Sequence, residues 1–119
     1  MTDEFISLRD KLRAFAQARD WEQFHAPKNL SMALAVECAE LMEHFQWLTP
    51  EESGQLLPEK RVEVEEELAD VLLYLIRLAD RLEVNLPAAA HRKIIRNEQK
   101  YPADQVRGSS RKYTEYQRD

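Results

Sequence analysis

The sequence holds a single cysteine, only two glycines, and no apolar run longer than VLLYLI at 71–76. One cysteine, Cys38, rules out a disulfide framework within the chain and suits a reducing cytoplasm; lying in a helical pattern, it is expected as a small buried residue. The apolar run is far too short to span a bilayer, and the polar start MTDEF does not resemble a signal peptide, so a soluble, cytoplasmic protein without a membrane partner is expected. Cations are also in short supply. With 17 Lys and Arg against 22 Asp and Glu, the net charge is −5, which argues against an electrostatic grip on a phosphate backbone, so no nucleic-acid partner is expected. A polyanionic ligand would need cations between itself and this chain.

What is present is helical periodicity. The five prolines fall at or near segment ends, so long helices meet little interruption. Phe5, Leu8, Leu12 and Phe15 predict a first helix over about residues 3–19. WEQFHAP (21–27) reads as a connector, and a second helix is expected over about 28–48, ended by TPEESGQLLP with Thr49 as a cap. A third spans about 58–83, with Leu68, Val71, Leu72, Leu75, Ala79 and Leu82 as its core stripe. Asn85 can cap a fourth, Pro87 suits its first turn, and Tyr101-Pro102 closes it. The fold class is all-α, a four-helix bundle with a helical domain at 1–101 and a basic tail at 102–119 that is extended or ordered by a partner. Segment 71–79 is apolar nearly all round apart from Arg77, which predicts burial in a homo-oligomer.

Carboxylates interrupt the apolar pattern. Glu37 falls within the stripe of Leu30, Leu34, Leu41, Phe45 and Leu48. Glu37 and Glu40 share one side of the second helix, and Glu67 and Asp70 repeat the spacing on the third. With 22 acids in 119 residues, roughly four acid-x-x-acid pairs arise by composition alone, so spacing is weak evidence. Apolar company is stronger evidence, because a carboxylate near a core is unfavourable unless paired or bound to a metal. No Lys or Arg lies between positions 29 and 59 to neutralise Glu37 and Glu40. If the two helices run antiparallel, the four acids converge. Oxygen-only ligands favour Mg²⁺ or Mn²⁺, whereas a di-iron bundle needs Glu-x-x-His on two helices and finds only Glu22-x-x-His25, in a connector.

The segments ECAE (37–40) and EELAD (66–70) resemble the ExxE…ExxD signature of the MazG-like all-α nucleoside triphosphate pyrophosphohydrolases, with 26 residues (41–66) between the pairs. RDWEQFHAPKNL (19–30), FQW (45–47), ELADVLLYL (67–75), KYPAD (100–104) and RGSSRKYTEY (107–116) resemble the dCTP pyrophosphatase branch of that superfamily. The resemblance implies Mg²⁺-dependent cleavage of dCTP to dCMP and pyrophosphate by a homotetramer with sites near subunit interfaces. It also implies that Glu37, Glu40, Glu67 and Asp70 are the metal-binding and catalytic residues, and that Trp21, His25, Trp47 and Tyr74 contact substrate. In one departure, eukaryotic members have a substrate-contacting histidine on the first helix where this chain has Leu12, which bears on base preference. A nucleoside triphosphate, with about four negative charges near neutral pH, is repelled by four carboxylates unless divalent cations bridge them.

Other residues admit two readings. Trp21, Trp47 and Tyr74 are either core residues or base-stacking platforms. His25 is a loop histidine or a donor to sugar or phosphate. Asn29 reads a base edge or caps the second helix. Lys93 and Asn97 form a solvated face of the fourth helix or touch the ligand, and Arg107 and Arg111 give the tail a basic segment that can close over phosphates. Alternatives to dCTP cleavage are a pyrophosphatase of other nucleotides and a non-catalytic helical adaptor whose acids form interhelical salt bridges.

Overall fold

The computed structural model describes residues 1–110, and among them all regular structure is helical. Helix α1 is Asp3–Ala18, α2 Pro27–Glu43, α3 Pro50–Ser53, α4 Pro58–Arg81, α5 Leu86–Lys100 and α6 Ala103–Val106, with a single 3₁₀ turn at Glu22–Phe24. No described helix is long and apolar enough to cross a membrane. Residues 111–119, which include Arg111 of the basic segment, lie outside the described residues.

The helix starts follow local chemistry. Thr2 accepts a hydrogen bond from the Phe5 amide at the head of α1, and Asn85 Oδ1 accepts one from Ala88 at the head of α5; both satisfy amides that have no partner within the helix. Thr49 and Glu52 form a reciprocal capping box on α3, with bonds of 3.1 and 2.9 Å. Proline occupies the first turn of α2, α3, α4 and α5, where its missing N–H is harmless.

The helix ends depart from the periodicity by one to five residues. α1 and α4 stop at Ala18 and Arg81 because Asp20 and Glu83 turn into the left-handed region, with φ of 55° and 56°. Trp21 N then bonds Ala16 O at 2.9 Å and Val84 N bonds Ala79 O at 2.8 Å, the six-to-one bond of a Schellman end. α2 ends at Glu43 rather than near 48. Pro50 holds Thr49 extended (φ −71°, ψ 161°), and residues 44–48 reach it through tightened turns such as Phe45 N to Met42 O at 2.9 Å.

The chain divides into two compact units, Met1–Val84 and Asn85 onward. In the first, α4 packs chiefly against α2 and also against α1. His44 on the α2 side meets Lys60 and Glu63, whereas His25, ahead of α2, meets Arg77, so α2 and α4 run antiparallel. The second unit contains α5 and α6. Three of the four expected bundle helices therefore share one unit, and the tail expected to be extended from 102 opens with a short helix.

The core of the first unit is Ala16, Leu30, Val64, Ile76 and Ala79. This corrects the expected stripe on α4: Leu68, Leu72 and Leu82 are exposed although they share a helical face with the buried Val64, Ile76 and Ala79, so that face is covered over only part of its length. Within 71–79 only Leu72 remains open, and the exposed apolar residues elsewhere include Leu68 on α4 and Met32, Val36 and Met42 on α2. Cys38 is likewise exposed rather than buried. Neighbours in helical sequence are separated by about 100° around the axis, so the flanks of Glu37 do not share its face.

Candidate functional site

Glu37 on α2 and Glu67 and Asp70 on α4 converge: one carboxylate oxygen from each lies within 4.8 Å of the others. Antiparallel packing makes this possible, and the i, i+3 spacing puts Glu67 and Asp70 on one side of α4. Glu37 and Glu67 are half-buried and Asp70 is exposed. Oε2 of Glu37 and Oε2 of Glu67 are buried without a hydrogen-bond partner, and among the described residues no Lys, Arg or His forms an ion pair with any of the three. Glu40 is not in this group of three, yet it acts on it. Burial pushes the Glu37 carboxyl up to about 7, and the neighbouring Glu67 and Glu40 carboxyls add to the rise. Glu67 is raised as well, first by desolvation, with Glu37 opposing and Glu40 and Asp70 adding to the rise.

Orphaned buried oxygens in an all-oxygen set without a cation are the donor chemistry of a hard divalent ion. The residues present fit such an ion. An adaptor stabilised by interhelical salt bridges would pair these acids with Lys or Arg, and they are not so paired.

Beside the acids opens a cavity of about 520 Å³. Its walls are Leu8, Lys11, Leu12 and Phe15 of α1, Trp21 and His25 of the connector, and Asp70, Leu73, Tyr74 and Arg77 of α4. Asp70 belongs both to the acid cluster and to the cavity wall, so a ligand in the cavity reaches the cluster. Trp21 packs edge-on against Phe15 with centroids 5.6 Å apart, and His25 stands 6.4 Å from Trp21. The α4 contributions recur at positions 70, 74 and 77, the spacing of a single helical face.

The cavity brings together Trp21, His25 and Tyr74 of the expected ligand contacts. Trp47 is 87% exposed in the turns after α2 and is not among its lining residues. Asn29 is exposed, and its side-chain amide donates to Phe24 O at 3.2 Å, tying α2 to the 3₁₀ turn. It does not cap α2, whose cap position is Ala26. Lys93, Asn97 and Arg107 are exposed residues of the second unit. Sequence reasoning missed Lys11 and Arg77 as lining residues. Arg77 stood out only as a charge in an apolar run, although its place seven residues after Asp70 and three after Tyr74 was the available signal.

Residues 32–116 match the model of the MazG-like family. The chain belongs to the MazG-like family. It is 52% identical over 103 residues to dCTP pyrophosphatase 1 of Homo sapiens, a match covering 85% of this chain and 61% of the human protein. Against dCTP pyrophosphatase 1 of Rattus norvegicus the identity is 49% over 106 residues, covering 87% and 62%. The chain thus spans about three fifths of the length of these curated relatives. The crystal structure of a pyrophosphatase from Archaeoglobus fulgidus superposes with a TM-score of 0.80 at 44% identity, covering 86% of this chain and 95% of that one. This likeness extends the family assignment to the helical fold.

Proposed function

We propose that this MazG-like chain is a nucleoside triphosphate pyrophosphohydrolase that cleaves dCTP, and modified dCTP analogues, to dCMP and pyrophosphate. The observation that carries the reading is the double membership of Asp70. A cavity with aromatic and apolar walls, sized for a base and sugar, abuts three acids equipped to hold cations against a triphosphate. The relatives named for dCTP pyrophosphatase activity support the choice of reaction and base. Pyrophosphatase action on a broader set of nucleotides is the nearest variant, because Leu12, in the cavity wall, replaces the histidine of eukaryotic members.

Glu37, Glu67 and Asp70, with Glu40 beside them, would hold Mg²⁺, or Mn²⁺ in its place. Bound there, such an ion supplies charge neutralisation for the phosphates and activation of water. The protein's own share is binding and orientation. Trp21 and Tyr74 offer ring faces to a base, His25 offers a hydrogen bond, and the apolar wall of Leu8, Leu12 and Leu73 excludes water from the base. A contact by Trp47 rests on the resemblance alone, and contacts by Asn29, Lys93, Asn97, Arg107 and Arg111 rest on the sequence pattern alone. We further propose a homotetramer, supported by the open apolar residues of α2 and α4.

A hydrolysis screen of the canonical and 5-substituted triphosphates with Mg²⁺ tests this reading. Release of pyrophosphate fastest from cytosine deoxynucleotides is expected. Hydrolysis of none of them would sink the proposal, and a preference for another base would leave the reaction and overturn the substrate.

A further inference from the structure

His25 follows the 3₁₀ turn and lines the cavity. Its two ring nitrogens are not equivalent. Arg77 donates Nε–H to His25 Nδ1 at 3.1 Å, and a guanidinium has no acceptor, so the direction of this bond is fixed. Nδ1 therefore carries a lone pair, and the single proton of a neutral imidazole sits on Nε2.

Arg77 is well placed to enforce this. It is 4% exposed, with Nη1 3.5 Å from Asp80 and Nη2 3.8 Å from Glu22. Asp80 is itself held by Arg13, which donates from Nε at 2.7 Å and from Nη2 at 2.5 Å. The backbone of His25 is tied as well, because Arg81 Nε donates to its carbonyl at 3.2 Å. The charged groups acting on the ring are thus Arg77 and Arg81 from α4 and Glu22 from the turn; Lys11 and Asp70 share the cavity wall. Burial, then Arg77 and Arg81, hold the His25 imidazolium below its usual range, with Glu22 opposing.

We propose that Arg77 is a positioning residue that locks His25 as its Nε2–H tautomer, so that the cavity meets an oxygen of its nucleotide with a fixed imidazole N–H donor. In that state His25 cannot take a proton from water: one nitrogen is occupied by Arg77 and the other already bears hydrogen. His25 thus binds and orients, and proton acceptance falls to other groups. The ligand named here rests on the nucleotide reading above; the tautomer does not.

The test uses the full chain labelled with ¹⁵N, free of metal and nucleotide. Long-range imidazole ¹H–¹⁵N spectra are taken from pH 5.5 to 8, with His25 assigned through His25→Gln. The native protein should show the Nε2–H tautomer of His25 alone, titrating below about 6.5. Arg77→Met should mix the tautomers and move the midpoint up, and Arg77→Lys, another donor-only cation, should restore the native pattern in part. An Nδ1–H tautomer in the native protein overturns the proposal even if Arg77→Met fails to fold, as does an unchanged spectrum in a folded Arg77→Met. With dCTP and Mg²⁺, KM for the native protein should show no inflection from His25 near pH 6.5. In Arg77→Met, KM should rise about five- to tenfold, with an inflection there and a smaller change in kcat, from the loss of one oriented hydrogen bond. A loss confined to kcat would contradict the binding role. Failure of all hydrolysis would instead strike the nucleotide reading and leave the tautomer to the spectra.

Discussion

One carboxylate oxygen of Glu37 lies within 4.8 Å of one of Glu67 across the α2–α4 interface, and each residue also has a buried Oε2 with no hydrogen-bond partner. Two helices packed for stability alone would not face such groups toward each other. Glu37→Leu is therefore expected to abolish hydrolysis and yet, in EDTA, to leave stability unchanged or raise it by about 0.5–2 kcal/mol. Thermal melts with and without Mg²⁺ check this, and clear destabilisation in EDTA would mean that Glu37 is a structural partner.

The same pair sets a pH dependence with a definite sign. The Glu37 carboxyl rises from 4.5 to about 7 on folding, so between those values the folded chain binds a proton that the unfolded chain has released. Its contribution to stability is fully present below about pH 4.5 and is lost as pH rises through 7. Metal-free melts should accordingly show the native protein falling behind Glu37→Leu across this window, with the gap constant above it. A gap independent of pH would place the Glu37 carboxyl at its ordinary value.

These acids show what the sequence revealed and why. Glu37 was legible because its apolar neighbours at three- and four-residue spacing, Leu30, Leu34 and Leu41, mark the core side of α2, and the structure keeps it half-buried there. The caps at Thr49 and Asn85 were legible because capping is chemistry within four residues. The ends of α1 and α4 were not, since Asp20 and Glu83 take the left-handed conformation that glycine usually signals. Arg77 escaped for a different reason. Its role depends on His25 and Asp80, and the His25 contact spans 52 positions of sequence, which no local pattern encodes.

Trp21 carries the base platform if the cavity receives the base. Its ring is braced by Phe15, so truncation removes stacking without touching the acids. Trp21→Ala should raise KM about 5- to 150-fold, the equivalent of about 1–3 kcal/mol of stacking, with a smaller fall in kcat. A large kcat loss at constant KM would tie Trp21 to the acid cluster instead.

The open apolar residues predict association. Leu68 is 52% and Leu72 45% exposed on α4, and Met32 59% and Val36 56% on α2, a surface that water disfavours. Light scattering at micromolar concentration should give the mass of a tetramer, and Leu72→Glu should lower it. A monomeric native protein would contradict the assembly.

The final prediction concerns which bond breaks. With the base held in the cavity, the phosphates would extend past Asp70 toward Glu37 and Glu67, which would set the α-phosphate beside the acids. Attack by water at the α-phosphorus with in-line departure of pyrophosphate leaves the water oxygen on the nucleotide. Hydrolysis in ¹⁸O-labelled water should give labelled dCMP and unlabelled pyrophosphate, with no diphosphate nucleotide on the way. Label in the pyrophosphate would instead place the attack at the β-phosphorus. Stepwise release of single phosphates through dCDP would make the chain a γ-phosphatase and would overturn the proposed reaction itself, even with Glu37, Glu67 and Asp70 correctly assigned as ligands.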